Sequence, residues 1–194
     1  NKKISNSELE NLAKQYGGVY IFNQKFVDEI EKREKEREDL AKNLGDKIRS
    51  NPRKIKQGDK FITIYDVDMT LVNQKLPQTL SNGKRYYTRW IDYENQTGKE
   101  AKVPEVYINK IKEFMGESNY DKSPNFPILV MFYVNDNDKI VPIKLSMSYT
   151  YYKTRYGLFG DEGMGIRFKD EEQILIRGGN KFILINDKFT RVEK

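Results

Sequence analysis

The apolar positions in the first third of the chain recur at helical spacing. Residues 5–16 predict a short helix, with Ser5 or Ser7 available to cap its first turn. A longer helix is predicted over residues 24–50, because its apolar positions are three or four residues apart. Residues 31–39 in its middle are all charged, so we expect a helix that projects from the body of the protein or docks on a partner.

From residue 60 onward the pattern changes to a period of two, which is typical of strands. Residues 61–72 and 84–94 are predicted as strands, separated by the turn signal Asn82-Gly83. An amphipathic helix is predicted over 103–115. The other predicted strands are 126–134, 139–152, 164–169, 173–177, 181–186 and 189–193, with turns at 135–138, 170–172 and 178–180, and residues 19–22 form a short strand or a turn.

These elements predict an α+β fold. We expect a mostly antiparallel sheet of six to seven strands, with two N-terminal helices and one inserted helix packed on it. Residues 1–58 are expected to form a helical region with the long charged helix and a basic linker. Residues 59–194 are expected to form a β-rich body that contains the helix 103–115.

The composition limits the chemistry, because the chain contains neither histidine nor cysteine. It therefore has no disulfide, no Cys/His zinc site and no catalysis by imidazole or thiolate. Carboxylate, Lys, Tyr, Ser/Thr and oxygen-ligated metal chemistry remain. We expect no membrane span, since no stretch approaches the ~18 consecutive apolar residues that a span needs. The lack of cysteine fits a secreted or cell-envelope protein and a cytosolic one alike. Because the first residue is Asn1 rather than Met, we expect an extracytoplasmic bacterial protein whose leader has been removed.

The net charge of +6 and the pI near 9.2 raise the question of nucleic-acid binding. Much of the positive excess lies in residues 47–60, whose basic cluster comprises Arg49, Arg53, Lys54 and Lys56. We interpret this segment as a solvated linker that follows the long helix. The alternative is weak binding of nucleic acid or of an anionic surface.

One short motif has a chemical precedent. Tyr65-Asp66-Val67-Asp68-Met69-Thr70, preceded by an apolar strand, resembles the first motif of the haloacid-dehalogenase-like phosphatases. The resemblance implies that Asp66 is the nucleophile, Asp68 the general acid/base and Thr70 a positioning residue. It also implies a Mg²⁺ site formed by Asp66, Asp68 and Asp161.

The predicted sheet favours another interpretation of the two aspartates. That phosphatase family has a parallel sheet with helical crossovers, whereas residues 126–134 lead through the turn 135–138 into an antiparallel partner. Asp66 and Asp68 are then expected on the solvent face of an alternating strand. A phosphatase remains the alternative function.

Aromatic side chains next to basic residues suggest a contact surface. Trp90 and Tyr93 lie on the predicted strand 84–94, and Tyr152, Tyr156 and Phe159 lie at or after the end of the long hairpin. Such side chains bind protein partners or stack on sugars. We therefore predict a non-enzymatic binding module without a cofactor, with a protein as the favoured partner, a glycan as a possible one, and nucleic acid disfavoured.

Overall fold

The computed structural model describes residues 4–159 and 166–193, without the side chains of residues 50, 51, 155–159 and 166–170. This part of the chain contains six α-helices and ten β-strands, so the predicted α+β class is confirmed. The helices are α1 (Asn6–Tyr16), α2 (Gln24–Leu44), α3 (Thr70–Lys75), α4 (Trp90–Thr97), α5 (Glu105–Met115) and α6 (Glu117–Asp121). The strands are β1 (Gly18–Ile21), β2 (Arg49–Gln57), β3 (Lys60–Val67), β4 (Tyr86–Tyr87), β5 (Ile128–Val134), β6 (Ile140–Met147), β7 (Tyr149–Phe159), β8 (Ile166–Ile176), β9 (Asn180–Ile185) and β10 (Lys188–Val192).

The chain divides into two compact units. Unit 1 comprises Asn1–Gln24 and Tyr87–Lys194, and unit 2 comprises Lys25–Tyr86. The boundary between them falls within β4. Unit 1 contains most of the main sheet with α1, α4, α5 and α6, whereas unit 2 contains nearly all of α2 together with β2, β3 and α3.

The main sheet has six strands in the order β10-β9-β1-β6-β5-β4. β1 pairs antiparallel with β6 and parallel with β9. Tyr20 and Ile21 are fully buried between these two neighbours. Of the predicted segment 19–22, residues 19–21 therefore belong to a strand rather than to a turn. β5 and β6 form the predicted antiparallel hairpin, closed at residues 135–138, where Asp138 has a left-handed φ of 63°.

Glycines allow the N-terminal helix to lead directly into the sheet. α1 begins where Ser5 Oγ accepts a hydrogen bond from the Glu8 N–H at 3.2 Å, as predicted, and Gly17 caps its end. Gly18 then has a φ of 144° and lies so close to β9 that a Cβ atom there would be 2.0 Å from the Asn180 carbonyl oxygen. Only glycine permits this close parallel pairing of β1 with β9.

The core of unit 1 is rich in aromatic rings. Tyr20 stacks on Phe182 with the ring centroids 4.7 Å apart and meets Phe189 edge to face at 5.2 Å. Phe114 of α5 joins this group at 5.0 Å from Phe182. The helix predicted over 103–115 is therefore confirmed as an element that packs an apolar stripe on the sheet, and Pro104 stands at its N-cap.

The prediction of a strand over residues 84–94 is wrong for most of that segment. Only Tyr86 and Tyr87 form a strand, and α4 begins at Trp90. Tyr87 and Tyr93 both pack on Phe132 of β5, with ring centroids 5.1 and 5.6 Å away. A helical turn brings Tyr93 back to the core, and Gly98 ends the helix in the left-handed conformation, with φ 71°.

The segment predicted as the end of a helix and a basic linker is also different. α2 ends at Leu44, a short 3₁₀ turn covers Gly45–Ile48, and β2 then pairs antiparallel with β3 over its whole length. The two strands are joined at Gly58, whose φ of 64° suits the first position of a two-residue hairpin turn. β3 ends at Val67 instead of continuing to residue 72, because α3 starts at Thr70.

Two further corrections concern the C-terminal strands. The segment 139–152 is split into β6 and β7, and β7 pairs with β8 in a separate two-stranded sheet. The turn predicted at 170–172 lies inside β8, where Glu172 is opposite Lys153 and Glu171 is opposite Thr154. These acidic residues pair with residues of β7 and so belong to the strand. The sequence pattern alone does not indicate this pairing. The final strand, predicted at 189–193, is confirmed as β10.

Unit 2 contains a buried polar network around Arg37 of α2, a side chain that is only 5% exposed. Its Nη1 donates to the Leu76 carbonyl at 2.6 Å and its Nη2 to Asn73 Oδ1 at 2.9 Å. Glu34, one turn earlier, accepts from the Tyr86 hydroxyl at 2.7 Å and from Gln78 Nε2 at 2.8 Å. Burial, and then the bond to Glu34, raise the pKa of Tyr86, so this phenol stays a donor.

Candidate functional site

The predicted binding residues separate into three groups. Trp90 and Tyr152 are exposed, at 43% and 61% of their surface. Tyr93, by contrast, is only 4% exposed and belongs to the core, so it offers no contact surface. The side chains of Tyr156 and Phe159 lie outside the described residues.

Trp90 lines a cleft of about 760 Å³ in unit 1. The walls come from the start of α4, the segment between α4 and α5, one side of α5, and the residues that lead into β5. The lining residues are Trp90, Glu94, Glu100, Ala101, Lys102, Val103, Glu105, Ile108, Lys112, Tyr120, Phe126, Pro127, Ile128 and Leu129. We refer to this set as the Trp90 cleft.

Local hydrogen bonds and charge contacts fix two walls of the cleft. Glu94 Oε2 accepts from the Ala101 N–H at 2.8 Å and holds the segment after α4 against that helix. On α5, the Lys112 ammonium lies 3.9 Å from Glu105 Oε1 and 5.2 Å from the centroid of the Tyr120 ring. A cation over an aromatic face is attracted to it, so this contact favours the observed position of Tyr120.

The cleft includes two exposed apolar side chains that the sequence pattern did not reveal. Phe126 is 82% exposed and Ile128 is 49% exposed, although both were predicted to lie on a central, buried strand. Pro127 supplies the signal that was missed, because proline has no N–H to donate to a strand ladder. β5 accordingly begins at Ile128, and Phe126 stays outside the sheet.

The lining of the Trp90 cleft is mostly apolar and also includes side chains of both charge signs. In the part of the chain that the structure describes, neither Glu100 nor Lys102 makes an ion pair, so both remain available to a ligand. No group of three Asp or Glu side chains converges on a possible metal position among the residues at 4–159 and 166–193.

The aspartates of the phosphatase-like motif lie in unit 2 at the end of the β2–β3 hairpin. Asp66 is on β3 and forms an ion pair with Arg53 across the hairpin at 2.8 Å. Asp68 Oδ1 accepts from the Thr70 hydroxyl at 2.6 Å and from the Thr70 N–H at 3.0 Å. These two bonds lower the pKa of Asp68, the hydroxyl contributing most. Asp161, the third carboxylate of the implied metal site, lies outside the described residues.

The geometry around these residues differs from what the resemblance implies. β3 pairs antiparallel with β2, and no helical crossover connects the two strands. Asp68 accepts from the N–H and the hydroxyl of Thr70, two residues ahead, which is the local turn that aspartate commonly forms with its own backbone. The arrangement therefore has a structural explanation that needs no catalytic role for either aspartate.

The predicted basic cluster lies on β2. Arg49, Arg53, Lys54 and Lys56 are all exposed members of a two-stranded hairpin. The register with β3, which shifts between Ser50 and Pro52, divides them, so that Arg53 is on one face and the other three are on the opposite face. The cluster is therefore held on a regular scaffold rather than on a flexible connector.

Comparisons with protein-family models, with curated proteins and with solved structures found no match for this chain. None of the helices in the described ranges combines the length and the apolar character that crossing a membrane requires.

Proposed function

We propose that the protein is a non-enzymatic binding module and that the Trp90 cleft receives a short apolar segment of a partner protein. The observation that supports this best is the exposure of Trp90, Phe126 and Ile128 around one concave surface. Large apolar side chains gathered at one exposed site are characteristic of interaction surfaces.

The polar groups of the cleft favour a peptide as the ligand. Glu100 and Lys102 have opposite charges and line the cleft together with apolar side chains. A peptide offers apolar side chains for the apolar part of the lining and a backbone or charged side chains for Glu100 and Lys102. Tryptophan is enriched among residues that dominate binding energy, so Trp90 is the expected anchor.

The proposal is tested by selecting peptides from a random display library on the wild-type protein. We expect the selected peptides to be rich in aromatic or aliphatic residues. Their affinity should fall about 30-fold in Trp90→Ala and Phe126→Ala variants, which corresponds to the ~2 kcal/mol typical of a hot-spot residue.

Ile185→Ala is the matched control, because Ile185 is 47% exposed but lies on β9, away from the cleft lining. This variant should bind the selected peptides like the wild type. Equal binding by all four proteins, or a preference for oligosaccharides over every peptide, is the result that rules the proposal out.

A further inference from the structure

A second surface of a different chemistry lies in unit 2, on the hairpin formed by β2 and β3. We call residues Arg49–Val67 the ribbon. All side chains of residues 52–60 are exposed, and so are those of Phe61, Ile62, Thr63, Tyr65 and Val67. A two-stranded ribbon with this exposure has no core of its own to bury these residues.

The register of the ribbon assigns each side chain to a face. Lys54 is opposite Thr63 and Lys56 is opposite Phe61, and Arg49 is opposite Val67. Directly opposed residues share a face, and residues two apart along one strand do too. The basic-aromatic face therefore comprises Arg49, Pro52, Lys54, Lys56, Phe61, Thr63, Tyr65 and Val67, and the opposite face comprises Arg53, Ile55, Gln57, Lys60, Ile62, Ile64 and Asp66.

Charge is distributed unequally between the two faces. The basic-aromatic face has three cations and no carboxylate of the ribbon itself, although Arg49 is paired at 3.2 Å with Asp46 in the 3₁₀ turn before β2. Asp66 lies on the opposite face, where it is paired with Arg53, and Asp59 lies in the turn. Within the described residues Lys54 and Lys56 make no ion pair, so both ammonium groups are free to meet a polyanion.

Two exposed aromatic rings lie on the same face as these cations. Phe61 is 68% exposed and Tyr65 is 48% exposed. They are four residues apart on one strand, which places them ~13 Å from each other at the usual rise of ~3.3 Å per residue. The Arg49 guanidinium carbon is 5.8 Å from the centroid of the Tyr65 ring, so a cation also lies beside that aromatic surface.

We propose that the basic-aromatic face of the ribbon binds single-stranded nucleic acid. Phe61 and Tyr65 stack on unpaired bases, while Lys54, Lys56 and Arg49 contact the phosphates between and beside them. Aromatic rings on β3 that lie on the same face as cations on β2 form the combination that general single-strand binding uses, since every base has a face to stack on and every nucleotide carries a charge. The inference does not depend on the Trp90 cleft.

The rings decide between a single strand and the other polyanions. The bases of a duplex are stacked inside it, so duplex binding would use the cations and the ribbon backbone but leave Phe61 without a stacking partner. An anionic membrane surface would use apolar residues of both faces alike, because Ile55 and Ile62 are also exposed, at 41% and 38%.

The experiment measures fluorescence anisotropy of labelled dT12 and U12, with an unlabelled GC-rich duplex of twelve base pairs as the competitor, and co-sedimentation of the protein with phosphatidylserine vesicles. We expect Phe61→Ala to weaken binding of both single strands about tenfold, since base stacking contributes strongly to affinity, and Phe61→Trp to restore it. Lys54→Gln with Lys56→Gln should reduce the slope of log affinity against log salt by about 1.4, from two phosphate contacts at ~0.7 each.

The matched control is Arg53→Gln with Lys60→Gln, which removes the same charge from the opposite face. It should leave the affinity and the salt slope much closer to those of the wild type. Circular dichroism shows whether each variant is folded. Several outcomes overturn the proposal: no binding of either oligonucleotide, equal loss in both double variants, a duplex that competes as well as the single strand while Phe61→Ala has no effect, or binding only to phosphatidylserine vesicles.

Discussion

Arg37 offers the sharpest test of how unit 2 is held together. Its guanidinium is buried and connects α2 to α3 through the Asn73 side chain and to the residue after α3 through the Leu76 carbonyl. Replacing Arg37 by Met keeps the length and the apolar stem of the side chain but removes both hydrogen bonds. The half-buried carbonyl of Leu76 and the Asn73 side chain then both lose a charged donor.

The magnitude follows from these two contacts. Hydrogen bonds from a charged group contribute ~1.5–3 kcal/mol each, so the lower end of this range gives about 3 kcal/mol for the pair. The contact between Arg37 Nε and Glu34 Oε1, at 3.5 Å, adds little to this figure because a third of the Glu34 side chain is exposed. A loss of 3 kcal/mol raises the opening equilibrium about 150-fold.

Hydrogen exchange measured by mass spectrometry is the suitable assay, since it reports on residues 25–86 separately from the rest of the chain. Amides of α2 should exchange about 150-fold faster in Arg37→Met than in the wild type, if exchange follows the opening equilibrium. Lys35→Met is the control, because Lys35 is exposed on the same helix and its removal changes the charge equally. A change of less than tenfold, or one matched by the control, refutes this account of unit 2.

Two other predictions concern local geometry. Thr70→Val removes the hydroxyl donor to Asp68, so the pKa of Asp68 should rise toward its ordinary value in an NMR titration, while Thr63→Val should not change it. Because the two hydrogen bonds lower the pKa of Asp68 in the folded state, they stabilise the fold at pH values above the pKa of the unfolded state. This stabilisation is lost as the pH falls through the pKa of the folded state. An unchanged pKa of Asp68 in Thr70→Val would contradict the assignment. Gly18→Ala should destabilise unit 1 by about 3 kcal/mol or more in thermal unfolding, because the new Cβ meets the Asn180 carbonyl. Gly98→Ala, in open space in the same unit, should cost only the ~1 kcal/mol of backbone strain, and equal losses would argue against the steric explanation.

The fold class, several helix boundaries and the β5–β6 hairpin could be predicted from local patterns. Ser5 and Gly17 bracket α1, and the turn at 135–138 reverses the chain between two apolar strands. Signals of this kind act within a few residues of each other. They do not depend on contacts with distant residues, so the sequence alone is enough to detect them.

The candidate site was predictable only in part, because exposure depends on contacts between distant residues. The sequence pattern predicts both Trp90 and Tyr93 on one strand, but packing on Phe132 buries Tyr93, whereas Trp90 is exposed. Phe126 is predicted to be the first residue of a strand, but β5 begins at Ile128, after Pro127. Gly98 and Pro127 were the local indications of these departures.

The structure of the basic cluster on β2 could not be predicted from composition. A run of Arg and Lys residues with Pro52 predicts a connector on composition alone, and Pro52 sits beside an irregularity in the register that allows the strand to form around it. Pairing with the apolar residues of β3 decides the structure. Once the register is known, the basic residues separate into two faces, which composition cannot show.

The most direct test of the proposed function uses the only tryptophan of the chain, which lies in the cleft itself. A selected peptide without tryptophan is added to saturation, and acrylamide quenching of Trp90 fluorescence is measured before and after. A peptide that fills the Trp90 cleft covers the indole, so the quenching constant should fall at least twofold and the emission should shift to shorter wavelength. An unchanged quenching constant at saturating peptide would show that the partner binds elsewhere and would contradict the central claim.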